Sequence, residues 1–258
     1  MKFTSLLTAT ALAATIASPS IMAADSTLSD AQKTEIQTLV HDYLLNNPEV
    51  LLEVSQALQK KQQLTQQKQA QSAITDNASE LFNDKMTTFG NPKGGVTLVE
   101  FFDYQCIHCK KMAPVIAELV KGDSNLRVIY KEFPIFGESS DMASRAALAA
   151  AMQNKYLQMH EALLGQEKHV DQKIIDETAK KIGLNMNKFK ADMTGKEVTD
   201  ALAANRKLAE QLHLMGTPAF IVGSTPGGVF KADSQPGFIP GGTDASTLKD
   251  LIKKAATN

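Results

Sequence analysis

Val96-Thr97-Leu98-Val99-Glu100-Phe101-Phe102, then Asp103-Tyr104-Gln105 and Cys106-Ile107-His108-Cys109, decide how this chain is read. The first seven residues form an apolar run that predicts a strand buried on both faces except at Glu100. The only two cysteines of the protein follow it, two residues apart. A structural disulfide across so small a loop removes little unfolded-chain entropy, whereas longer loops contribute about 3 kcal/mol or more. A structural zinc site needs a second ligand pair, and none exists; haem attachment needs histidine after the second cysteine, where Lys110 stands. A redox-active dithiol is the reading that remains strongest.

Outward from this stretch, the chain continues as a helix through Met112, Val115, Ile116 and Leu119, kinked at Pro114. Leu126 to Phe133 reads as a second strand. A strand, helix, strand order implies a parallel pair, with the cysteines at the carboxyl end of the first strand, where open α/β sheets carry their sites. A long helical section spans about Ser139 to Leu212. Gly216-Thr217-Pro218 then precedes another strand, Ala219 to Val222. Gly237 to Ile239 is a further strand candidate, and Thr243 to Lys254 a closing helix.

Toward the N-terminus, the turn residues Gly90 to Gly95 separate this region from the preceding helices. Ile36, Leu39, Val40, Tyr43 and Leu44 fall on one helical face, with Ser29 and Gln32 spaced as a capping box. A second helix begins at Asn47-Pro48 and carries Val50, Leu51, Val54, Ala57 and Leu58; its Gln- and Lys-rich continuation, Gln59 to Gln71, reads as a solvated helix or linker. Two short amphipathic helices cannot bury both apolar faces alone, so residues 25–90 are expected to be a self-association arm and linker. Lys2, the apolar stretch from Leu6 to about Ala17, and small residues at Ala23 and Ala24 make residues 1–24 a secretory signal peptide, cleaved near Ala23 or Ala24. Export means an oxidising compartment, which suits thiol chemistry.

A formal net charge of −1 and the lack of any arginine-rich patch argue against nucleic acid as partner. No phosphate-cradling glycine motif points to a nucleotide cofactor. His41, His160, His169 and His213 share no ligand spacing and read as surface or packing residues. Met142, Met152 and Met159 read as core fillers rather than a copper box.

Taken in order, these elements look like a thioredoxin fold with an all-helical insertion, and the chain resembles the DsbA-like thiol:disulfide oxidoreductases. The matching stretches are Val99 to Cys109, Val128 to Pro134, and Gly216 to Phe220. The N-terminal helices resemble those of dimeric members with an added association domain. On this reading residues 91–258 are the DsbA-like domain, with the helical insertion at about 138–212. Ile107 stands where strongly oxidising members have Pro, Thr217 where they often have Val, and Ser224 to Gln235 lengthens the final hairpin. Threonine before that proline is the choice of several isomerase and reductase members.

The resemblance gives each residue an expected role. Cys106, at a helix N-terminus, is the attacking thiol, its thiolate favoured by the helix dipole and unpaired N–H groups. Cys109, more buried, resolves the mixed disulfide. His108 can add a hydrogen bond or positive charge to the thiolate. Pro218 is expected to be cis against the dithiol, leaving the Thr217 backbone to pair with substrate as an added strand. Glu100 matches the family's buried acidic residue and would relay a proton to or from Cys109. The expectation is an exported, periplasmic homodimer acting on cysteine-containing exported proteins. Its dithiol would be recycled by a membrane or periplasmic redox partner, with no dissociable cofactor or metal. A Cu(I) carrier using the two thiols, and a holdase chaperone, remain the alternatives.

Overall fold

The structure, a computed structural model, describes residues 28–257. The proposed signal peptide at residues 1–24 lies outside them. No helix among the described residues is long and apolar enough to cross a membrane. The chain divides into two units, one ending at Gln59 and the other beginning at Lys60.

In the first unit, helix α1 spans Asp30–Asn46 and opens on the expected capping box: the Gln32 N–H donates to Ser29 Oγ at 3.3 Å, and the Ser29 N–H to Gln32 Oε1 at 2.9 Å. The two bonds satisfy donors that a helix start leaves orphaned. Asn47 closes α1, with its backbone N–H and its side-chain amide both on the Tyr43 carbonyl. Helix α2 then runs unbroken over Glu49–Asp76. Ile36, Leu39, Val40 and Tyr43 of α1, and Leu51, Leu52, Val54 and Leu58 of α2, are all exposed.

The second unit is built on five strands in the order β1-β3-β2-β4-β5: β1 Thr88–Gly90, β2 Val96–Phe102, β3 Leu126–Glu132, β4 Ala219–Ser224 and β5 Gly237–Pro240. β2 is central, parallel to β3 and antiparallel to β4. Between β2 and β3 lies α4, Ile107–Gly122, with Pro114 inside it. The insertion between β3 and β4 comprises α5 Glu138–Ala151, α6 Tyr156–Leu164, α7 Gln172–Lys181, α8 Met186–Met193 and α9 Lys196–Gln211; α10, Ala245–Ala256, ends the unit.

Strand alternation sends side chains of β2 to opposite faces. Val96, Leu98 and Phe102 join the larger core, with α4 and the helical insertion. Val99 and Phe101 join a second core, closed by Ile74, Leu81, Phe82 and the end of α9. Ile74 belongs to α2, and Leu81 to the short helix α3, Ala78–Leu81. Segment 60–90, read from sequence as the end of the association arm and linker, falls in the second unit: Ile74, Leu81 and Phe82 fill that core, and Met86 and Phe89 pack on the larger one.

Two elements were not anticipated. β1 is three residues long and pairs antiparallel with β3, Thr88 opposite Ile129, while α8 lies inside the helical section and buries Phe189 and Met193. The long connection after β4 is tied to the sheet by Arg127 of β3, whose guanidinium donates to Thr97 Oγ1, the Gly228 carbonyl and the Phe82 carbonyl at 2.8–2.9 Å.

Candidate active site

β2 delivers the chain into a tight turn at Asp103, and that residue organises the cysteine segment beyond it. Its carbonyl accepts from the Cys106 N–H at 3.1 Å. Its fully buried carboxylate accepts from the Gln105 N–H, Ser140 Oγ, the Ile135 N–H and the Phe136 N–H, at 2.7–3.1 Å. One side chain thus holds the cysteine turn, the loop after β3 and the start of α5 together. Gln105 adds a second tie: its amide both donates to the Val170 carbonyl and accepts from the Val170 N–H, as a strand neighbour would.

Cys106 is the N-cap of α4, its sulfur accepting from the Cys109 N–H at 3.3 Å. The Cys109 thiol, as hydrogen-bond donor, does most to hold the Cys106 thiol down, to about 6; Thr217 and then the backbone N–H groups of Cys109 and His108 add to this against the cost of burial. Cys109 moves the opposite way: burial first, then its hydrogen bond to Cys106 and the nearby Glu100, push its thiol well above the ordinary value. Both thiols are free, and Cys109 is fully buried. The pair is therefore unequal, one sulfur suited to attack and to leave, the other to be held back as a thiol.

The pairing of β4 with β2 carries the Thr217–Pro218 peptide to the same place. That bond is cis, and the Cys106 thiol donates to the Thr217 carbonyl at 3.4 Å. Met215, two residues earlier, is almost wholly exposed, as is much of Ile107 between the cysteines and Phe136 on the loop that Asp103 holds. His108 is exposed, and its ring lies beside Gly242, where an added Cβ would meet Nδ1 at 3.4 Å. The contribution of His108 to the Cys106 sulfur comes from its backbone N–H.

Glu100 is fully buried on β2, with no hydrogen-bond partner for either oxygen among the described residues. Burial first, then the charges of Cys106 and Glu132, raise its carboxyl well above the usual range. Sequence reasoning did not single out Glu132, Tyr104 or Asp103. Glu132 is also fully buried, and burial raises it to about 8 although its Oε1 accepts from Tyr104 at 3.0 Å and from Tyr156 at 2.7 Å. A signal was available: Glu132 falls in alternation with Leu126, Val128 and Tyr130, and so on their face of the strand. His160 packs in this cluster, 4.1 Å from the Tyr130 ring centroid.

Residues 97–253 match the model of the DSBA-like thioredoxin domain, and residues 32–63 that of the copper resistance protein ScsC N-terminal domain. Among solved structures, a thioredoxin-like oxidoreductase from Silicibacter pomeroyi DSS-3 is 38% identical, covering 70% of this chain and 98% of its own, with a TM-score of 0.62. BcfH of Salmonella enterica Typhimurium is 30% identical, covering 88% of this chain and 96% of its own, TM-score 0.75. Proteus mirabilis ScsC, in a transitional conformation, is 30% identical over 90% of this chain and 98% of its own, TM-score 0.62. The chain spans only about a quarter of the length of curated relatives such as a Na(+)/H(+) antiporter of Salinispora tropica, 25% identical over 59% of this chain and 24% of that protein. With more than half its length matched by one family model, and with the dithiol turn, the cis-proline loop and the helical insertion in place around one sheet, the chain belongs to the DSBA-like thioredoxin domain family.

Proposed function

We propose that this protein is a thiol:disulfide oxidoreductase that forms and isomerises disulfide bonds in exported proteins through Cys106 and Cys109. The observation that carries the reading is the asymmetry of the two thiols around one hydrogen-bonded turn: Cys106 held at about 6, Cys109 pushed far the other way. The Cys106 thiolate attacks a substrate disulfide, the substrate S–S bond breaks, and one substrate sulfur leaves with the electron pair, giving a mixed disulfide. Cys109 then attacks Cys106, its proton passing to Glu100, and the second substrate sulfur leaves. Run backwards, the same steps oxidise a substrate dithiol. The Thr217 backbone, beside the cis Pro218, is placed to pair with the substrate chain, and His108 to contribute through its N–H.

The signal-like residues 1–24 support a periplasmic location, and a membrane or periplasmic partner would recycle the dithiol. The exposed apolar residues of α1 and early α2 support a homodimeric arm. The test is the reduction potential of the full chain against a glutathione series, with refolding of a scrambled substrate. Redox cycling lost in Cys106→Ser and Cys109→Ser is expected; a pair that does not cycle overturns the reading. Leu39→Glu is expected to weaken assembly in sedimentation and to change the ratio of isomerisation to oxidation.

The match of residues 32–63 to a copper resistance protein domain favours a second reading, Cu(I) as cargo on the two thiolates. That segment contains neither cysteine nor methionine, so soft ligands would have to come from elsewhere in the chain, the two thiols of Cys106 and Cys109 first. Anaerobic Cu(I) titration against a competing chelator separates the two: tight binding supports a carrier, weak binding removes it.

A further inference from the structure

Three of the four tyrosines of the chain gather around one carboxyl group that the dithiol chemistry does not use. Tyr104 and Tyr156 both donate to Glu132 Oε1, while Tyr104 also lies 3.2 Å from His160 Nδ1. A phenol has one proton to give. With Tyr104 donating to Glu132, its oxygen accepts from a neutral His160 protonated at Nδ1, and burial does keep that ring neutral, lowering it to about 3. The cluster is thus arranged to donate toward Glu132.

The second carboxyl group on this face is Glu100. In the β2–β3 ladder Glu100 stands opposite Tyr130 and Phe102 opposite Glu132, so the two glutamates lie on neighbouring strands, one side-chain step apart on the same face. Both are fully buried. Two buried carboxylates so placed cannot both ionise without large cost, and their protons come off as a coupled pair. The donors decide which carries the charge: Glu132 has two phenols, Glu100 has none.

We propose that Glu132 is a positioning residue for the dithiol: it is the first of the buried carboxyl pair to ionise, from then on holds the proton on Glu100, and so sets the pH range in which Glu100 can protonate Cys109. When a thiolate attacks Cys106 of the oxidised protein, the Cys106–Cys109 bond breaks and its electron pair goes to the Cys109 sulfur. The proton for that sulfur comes from the Glu100 carboxyl; in the reverse step Cys109 returns it. The groups facing the pair are Cys106 and Cys109 of α4, Asp103 and Tyr104 of the turn, Tyr130 of β3, Ser144 of α5, and Tyr156, His160 and Glu161 of α6. Lys131 is on the opposite face of β3, donating to Asp84 and the Glu80 carbonyl, and does not neutralise it.

The role toward Cys109 rests on the dithiol reading, whereas the coupling of the carboxyls does not, so the test reads them separately. Infrared titration of the buried carboxyl bands in the full chain, Glu100→Gln and Glu132→Gln is the first measurement. Glu132→Gln is expected to lower the Glu100 midpoint by about one pH unit or more, whereas Glu100→Gln leaves the Glu132 midpoint nearly in place, because Glu132 ionises while Glu100 is still neutral. Tyr156→Phe, which keeps both carboxyls, is expected to move the Glu132 midpoint up. A Glu100 midpoint that stays fixed in Glu132→Gln overturns the proposal. The second measurement is the rate at which a small thiol opens the oxidised protein, as a ratio of Glu132→Gln to unsubstituted protein at each pH. A ratio that falls in the window between the two Glu100 midpoints supports the link to Cys109; a ratio independent of pH makes Glu132 a packing residue only.

Discussion

The Cys106 sulfur and the Thr217 carbonyl oxygen, 111 residues apart in the chain, lie 3.4 Å from each other. Nothing local produces that contact: it comes from β4 pairing with β2 in a register that sets Ala219 opposite Phe101. The redox turn and the loop that would receive a substrate strand therefore lie at the same end of one antiparallel strand pair.

Because the Cys109 thiol does most to hold Cys106 down to about 6, Cys109→Ala is expected to raise the alkylation midpoint of Cys106 by about one pH unit or more, each unit being about 1.4 kcal/mol. Cys109→Ser, which keeps a donor, should raise it less. A pH series with iodoacetamide checks this; an unchanged midpoint in Cys109→Ala would assign the shift to the helix terminus alone.

Asp103→Ala strands three backbone N–H groups and the Ser140 hydroxyl around a buried void. Each unsatisfied donor costs about 1–3 kcal/mol, so a loss of about 3 kcal/mol or more is expected in urea unfolding. A loss under about 1 kcal/mol would mean that water replaces the carboxylate.

Burial lowers His160 to about 3, so the unfolded chain binds a proton at this ring that the folded chain refuses. Its contribution is complete above about pH 6.5, the ordinary imidazole value, and is lost as pH falls toward about 3. Glu132, raised to about 8, has the opposite sign: its contribution is complete below about pH 4.3 and lost as pH rises through about 8. His160→Phe is expected to flatten the acid limb of stability while costing about 1 kcal/mol at neutral pH through the lost bond to Tyr104. Acid limbs of equal slope would place the sensitivity elsewhere.

Phe82 and Phe230 stack in parallel, centroids 4.7 Å apart, over Gly223 of β4. An alanine Cβ there would meet Phe82 Cζ at 2.6 Å and Phe230 Cδ2 at 3.2 Å. Gly223→Ala is expected to cost about 1–3 kcal/mol by overpacking, with the alkylation midpoint of Cys106 unchanged. A shifted midpoint would show that strain at this end of β4 reaches the dithiol.

Two elements that carry the site write their own signals, an apolar run for β2 and cysteine spacing for the turn, whereas the role of the proline after Thr217 was legible only through the family resemblance. The capping box at Ser29 was legible as those two were, being complete within four residues. The features that escaped depend on distant partners. Thr88 to Gly90 becomes a strand only because β3 offers an edge. Asp103 looks like an ordinary turn residue until Ile135, Phe136 and Ser140 arrive from 32–37 residues away. Glu132 gains its place only when α6 brings Tyr156, and the neighbour of the His108 ring, Gly242, comes from the β5–α10 connection more than 130 residues on.

Alternate residues of β2 work for different parts of the molecule. Val99 and Phe101 face the smaller core alone, while Glu100 and Phe102 face the larger one, which also holds both cysteines. The central strand is thus a partition, and scanning its seven positions should produce a two-beat record, stability alone failing at one residue and stability together with thiol titration at the next.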